Sequence, residues 1–142
     1  MKDQADFYTL KGYERNQKDA LSTAMEDYLE MICRMLQSRE VVRIKELSHN
    51  LHVNPSSASK MVQNLKLSGL VKFEKYGYIE LTDKGRQLGA YLLHRHEVLH
   101  RFLCKLNGTD SELEQVEKIE HYISEATIRN LEALTARLDQ LR

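Results

Sequence analysis

The chain's single proline, Pro55, follows Asn54 and precedes Ser56, Ser57, Ala58 and Ser59. Asparagine is a strong helix N-cap and proline suits the first helical position, so a helix must begin here and nothing helical can run through it. Apolar Ala58, Val62 and Leu65 recur at helical spacing up to Gly69, which predicts a helix from about Pro55 to Ser68. With six glycines in 142 residues, no internal repeat and no low-complexity tract, the remaining chain reads as mostly helical with short connections.

Upstream, Ile44, Leu47 and Leu51 share one face of a short helix, and a tight turn through His52 and Val53 joins it to the Pro55 helix. Two short helices in this arrangement make a helix-turn-helix. Downstream, Leu70 to Thr82 is β-branched and aromatic on either side of a tip at Tyr76-Gly77, which reads as a hairpin, the wing of a winged helix. Before these lies a helix starting near Thr23, with Glu26 completing a capping box and Met25, Tyr28, Leu29, Ile32, Met35 and Leu36 at helical spacing. Residues 1–21 fit no sustained period despite Phe7, Tyr8, Leu10 and Tyr13, and read as an arm, flexible or docked.

Thr82-Asp83 open a long connector helix carrying Leu88, Tyr91, Leu92, Leu99, Phe102 and Leu103 on its apolar face, stopped by Asn107-Gly108. Ser111 and Glu114 suggest a second capping box, leading a helix with Leu113, Val116, Ile119 and Ile123 inward. A last helix from about Glu125 bears Ile128, Leu131, Leu134, Leu138 and Leu141 as one stripe, a face suited to a partner subunit. The expected fold class is mainly α with a small β-hairpin wing. The expected domains are the arm at 1–21, a winged helix-turn-helix at 22–90 and a helical module at 91–142.

Net charge is zero, but residues 41–86 hold a surplus of Lys and Arg while residues 110–142 hold a surplus of Asp and Glu. The basic part carries the outward face of the Pro55 helix: Ser56, Ser57, Ser59, Lys60, Gln63, Asn64 and Lys66. Small hydroxyl side chains at a helix N-terminus approach phosphate closely, and longer amides and amines beyond them reach base edges. That face, the wing and the local basic surplus together point to duplex DNA, with Lys72, Lys75 and Tyr76 as wing contacts. Apolar runs are far shorter than the roughly 20 residues a membrane span needs, and Cys33 and Cys104 lack the spacing of a zinc ribbon. A reducing cytoplasm is the expected location.

Asp27 and Glu30 stand three apart, and Glu117, Glu120 and His121 lie at i, i+3 and i+4, so each set can address one point from a helix. Either set can equally be solvated surface. His96-Glu97-Val98-Leu99-His100 matches the HExxH pattern of zinc hydrolases, although a helix that follows a wing offers no substrate cleft. A di-metal carboxylate enzyme would want Glu-x-x-His on two helices, and only Glu117 to His121 approximates one. A winged-helix regulator indifferent to metal would use the Pro55 helix alone.

The order AMEDYLEMI, VNPSSASKMVQNL, LLHRHEVLHRFL and VEKIEHYI resembles the diphtheria toxin repressor family of metal-dependent regulators, in particular its short manganese transport regulator branch. The resemblance runs from about Ser22 to Leu141. It implies a two-metal site formed by Asp27, Glu30, His96, Glu117, Glu120 and His121, each present here. In the iron-responsive branch, sulfur ligands stand where this chain has Asp27 and Glu120, so oxygen at both positions favours Mn(II), with other divalent transition metals as competitors. The resemblance further implies a homodimer that binds a palindromic operator, repressing metal-uptake genes. It also implies that a chain ending at Arg142 lacks the SH3-like domain of longer members.

Overall fold

A computed structural model describes residues 9–15, 21–74 and 77–141. In chain order the elements are α1 (Leu10–Arg15), α2 (Thr23–Leu36), α3 (Ile44–Leu51), α4 (Pro55–Leu67), β1 (Val71–Phe73), β2 (Ile79–Leu81), α5 (Asp83–Asn107), α6 (Leu113–Ile119), a 3-10 turn (Glu120–Tyr122) and α7 (Glu125–Gln140). Asn54 caps α4 as its sequence demands, its side chain accepting from Ser57 N at 2.8 Å. The turn before it is possible because His52 takes a left-handed conformation at φ 57°. The strands are antiparallel in the register Val71 with Leu81, Lys72 with Glu80 and Phe73 with Ile79, and Ile79 N also donates to Val42 O at 2.8 Å.

Two hydrophobic cores form. The first gathers Leu29 and Ile32 of α2, Leu47 of α3, Ala58, Val62 and Leu65 of α4, the wing residues Val71, Phe73 and Ile79, and Leu92 of α5. The second gathers Val98, Leu99 and Leu103 of α5 with Val116 and Ile128. Helix α5 therefore belongs to both, and the residues at the changeover, Arg95 and His96, are polar.

Several local expectations need correction. Ser22, not Thr23, caps α2, accepting from Met25 N, so no capping box forms there. Ser111 does not cap α6, whose N-cap is Glu112 with no side-chain bond, and Leu113 is 50% exposed instead of inward. In both places two adjacent polar residues stand at the helix start, and spacing in the sequence does not separate them. The arm contains one short helix, α1, where no period was discernible. Phe7 and Tyr8 of the arm, and Lys75 and Tyr76 of the wing, lie outside the described residues.

Candidate metal centre and nucleic-acid interface

The inward stripe of α2 brings Glu30 beneath α5, where it is buried among apolar neighbours. Helix α5 presents His96 at the junction of the two cores, and α6 with its 3-10 turn folds Glu117 and Glu120 back against it. Glu30, His96, Glu117 and Glu120 each contribute a donor atom, and these atoms all lie within 4.8 Å of one another. His96 Nδ1 is 3.4 Å from Glu120 Oε2, 3.5 Å from Glu117 Oε1 and 3.7 Å from Glu30 Oε2. The remaining two predicted residues pair beside this cluster: His121 Nε2 is 2.9 Å from Asp27 Oδ1. All six predicted ligands thus collect where α2, α5 and the α6 turn meet, in a group of four and a group of two.

The electrostatics are those of crowded carboxylates. Burial, reinforced by Glu120 alongside, pushes the Glu30 carboxyl up from 4.5 to about 7, against the opposing pull of Arg34, which donates to Glu30 Oε2 at 3.0 Å. His96 is raised by its hydrogen bond to Glu120, and His121 is pushed up to about 10 by Asp27 first and Glu26 second. Glu120 is fully buried, and its Oε1 has no hydrogen-bond partner. Such an oxygen is costly to bury, and the charge beside it here is the Arg95 guanidinium, whose Nη2 lies 3.9 Å away without donating to it. A set of four carboxylates and two imidazoles, one carboxylate oxygen being orphaned, fits a hard-to-borderline divalent ion.

Two participants escaped sequence reasoning. Glu26 accepts from Arg95 Nη2 at 3.1 Å and sits 2.7 Å from His121 Nδ1. Burial raises its carboxyl, but the hydrogen bond to His121 and the charge of Arg95 prevail and hold it below the ordinary value. The available signal was adjacency alone, Glu26 to Asp27 and Arg95 to His96.

The HExxH reading fails geometrically. His96 joins the cluster, but His100 Nε2 accepts from Glu112 N at 3.2 Å, and Glu97 is exposed. His100 so serves the start of α6, which has no side-chain cap of its own. His94 lies on the surface, 3.3 Å from Glu132 Oε1.

On α4, Ser56, Ser57, Lys60, Gln63 and Asn64 are exposed together and Ser59 is half-buried. Ser56 and, further along α4, Lys66 already have local partners: Ser56 Oγ donates to Asn54 Oδ1 at 2.8 Å, and Lys66 Nζ donates to Phe73 O at 2.8 Å, tying α4 to the end of β1. Lys72 is exposed on β1 across from Glu80. Arg43, which no local pattern singled out, lies 4.3 Å over the ring of Tyr78, the residue just before β2, and adds a cation to this side.

A family model for the iron dependent repressor N-terminal DNA binding domain matches residues 20–79, and the family's metal binding and dimerisation domain matches residues 82–140. The chain belongs to the iron dependent repressor family. Family members with curated names include the HTH-type transcriptional regulator MntR of Bacillus subtilis (strain 168), 40% identical over 103 residues, which are 71% of this chain and 72% of the relative. The MntR of Geobacillus kaustophilus (strain HTA426) is 41% identical over 102 residues, with the same shares. A solved manganese-dependent transcriptional repressor in complex with manganese superposes with a TM-score of 0.72 at 30% identity, over 79% of this chain and 52% of that one. The manganese regulator SloR gives 0.69 at 31% identity, over 79% and 53%. This chain spans about half the length of those two solved chains. As a member of the iron dependent repressor family it is a DNA-binding transcriptional regulator, not an enzyme. Among the described residues no helix is long and apolar enough to cross a membrane.

Proposed function

We propose that this protein is a manganese-responsive repressor whose operator binding is controlled by Mn(II), two ions per chain, held by Asp27, Glu30, His96, Glu117, Glu120 and His121. The observation that carries this reading is the convergence of Glu30 with Glu117 and Glu120, because these carboxylates come from opposite modules. Glu30 lies on α2, within the segment matching the DNA-binding domain, and Glu117 and Glu120 lie in the metal-binding and dimerisation segment. The module boundary falls within α5 at about residue 90, the arm occupying residues 1–21. Bound cations supply the positive charge that lets these carboxylates lie together.

Without that charge, Glu30 and Glu120 stay together only while a proton lies between them, and once both ionise they repel across the module boundary and favour separations at which the recognition helices do not match two half-sites. Neutralised, they hold α2 against the α6 turn and select one separation. In a homodimer built on the dimerisation segment, two α4 helices then address a palindromic operator, with the serine-rich start of α4 on phosphates and Lys60, Gln63 and Asn64 toward base edges. Metal-uptake genes are the fitting targets for a repressor that acts when manganese is plentiful, and the cytoplasm is its fitting location. Of the similar solved proteins, one is described as a manganese-dependent transcriptional repressor and SloR as a manganese regulator.

The test is a Mn(II) titration of chelator-stripped protein, following the free ion by electron paramagnetic resonance, with wild type beside Glu120→Ala. The wild type should take up two ions per chain, and the variant should bind at least tenfold more weakly and lose manganese-dependent operator binding while remaining folded. A variant with undiminished manganese response would overturn the assignment.

A further inference from the structure

His121 stands between two carboxylates of the same helix. Its Nε2 faces Asp27 Oδ1 at 2.9 Å, and its Nδ1 faces Glu26 Oε1 at 2.7 Å. The same Glu26 oxygen accepts from Arg95 Nη2 at 3.1 Å, and Arg95 Nη2 also lies 3.4 Å from His121 Nδ1. Arg95 is 3% exposed and sits on α5 immediately before His96. Three elements, α2, α5 and the α6 turn, are thereby linked through one carboxylate oxygen.

We propose that Glu26 and Arg95 are positioning residues for the metal centre: with a cation bound, Glu26 would keep the Nδ1 proton of His121 and leave Nε2, on the Asp27 side, as the nitrogen that binds the ion, and Arg95 pins Glu26 in that role from the connector helix. The inference rests on the reading of Asp27 and His121 as ligands. A neutral imidazole has one N–H and one lone pair, so a fixed acceptor at Nδ1 decides which nitrogen is left to bind a cation. Asp27 lies on the Nε2 side, and Glu26 Oε1 is already engaged by two donors, so the two adjacent acids of α2 have different tasks. Arg95 holds Glu26 from outside α2, its own side chain being buried on α5.

The experiment is a Mn(II) titration of the full chain as wild type, Glu26→Ala and Glu26→Gln, together with ¹⁵N spectra of His121 in the Zn(II)-loaded protein. Glutamine keeps an oxygen that accepts the Nδ1 proton but is a poor metal ligand. Glu26→Ala should bind Mn(II) about 10- to 100-fold more weakly with the number of ions unchanged, and Glu26→Gln should stay within about threefold of wild type. The wild-type spectrum should show the proton on Nδ1 of His121. Undiminished affinity in Glu26→Ala, loss of an ion in Glu26→Gln, or a proton on Nε2 would each overturn the inference, the second by making Glu26 itself a ligand. Should Glu26→Ala not fold, Glu26→Gln and the wild-type spectrum decide. A wild type that binds no Mn(II) would overturn the proposed function and this inference with it.

Discussion

Glu30 and His121 both keep their protons to higher pH than such groups ordinarily do, because of what packs against them. Glu30 rises from 4.5 to about 7 through burial and the neighbouring Glu120, and His121 rises from 6.5 to about 10 through Asp27 and Glu26. A group whose folded value is raised stabilises the fold fully below its unfolded value and ceases to do so as pH climbs through the folded one. Glu30 thus withdraws stability between 4.5 and about 7, and His121 between 6.5 and about 10. Glu26, lowered, acts the other way, its contribution being lost only as pH falls into the acid range. The melting temperature of chelator-treated protein should therefore fall from about pH 4.5 to about pH 10, and His121→Gln should flatten the alkaline part. Circular dichroism melts across that span check it, and a rising melting temperature would contradict the assignment.

At the scale of elements, α5 does two jobs because its first turns carry no side chains where other elements cross. A methyl group on Gly85 would lie 1.9 Å from Leu70 O, and one on Gly89 would lie 2.0 Å from Cys33 Sγ. These contacts let the connector lie directly on the wing base and on α2, which in turn sets the height at which His96 meets Glu30. Gly85→Ala meets backbone and should cost about 3 kcal/mol, the upper end of ordinary overpacking. Gly89→Ala meets a side chain, so adding Cys33→Ala should restore part of the loss in a double-mutant cycle, whereas the same change should not rescue Gly85→Ala. Urea unfolding in the presence of chelator measures both, and equal rescue of the two glycine variants would show the contact assignment to be wrong.

For the molecule as a whole, the candidate metal ligands and the exposed face of α4 are separate surfaces, linked through the core that α2, α3, α4 and α5 share. Lys60 is exposed on α4 and distant in chain and element from every candidate ligand. Lys60→Ala should weaken operator binding, reduce its salt dependence by about one counterion and leave manganese stoichiometry unchanged. Linkage adds a stricter expectation. If Mn(II) tightens operator binding by a factor of about 5 to 150, operator DNA must tighten Mn(II) binding by the same factor. Titrating metal with and without operator, and operator with and without metal, closes that cycle; unequal factors would rule out a single coupled equilibrium.

Much of this was legible in the chain because it depends on neighbours in sequence. Asn54-Pro55 opens α4, Thr82 opens α5, and Ala58, Val62 and Leu65 fall on one face, since capping and periodicity are properties of a few consecutive residues. Five of the candidate ligands were legible as spacings on helices, and His96 through the family resemblance. What the tertiary structure alone decided is which donors share a point, why His96 enters the cluster while His100 caps α6, and which of two adjacent acids, Glu26 or Asp27, faces which nitrogen of His121. Those choices turn on helix rotation and on the close approach at Gly85 and Gly89, distances set by packing between residues far apart in the chain, which no local pattern encodes.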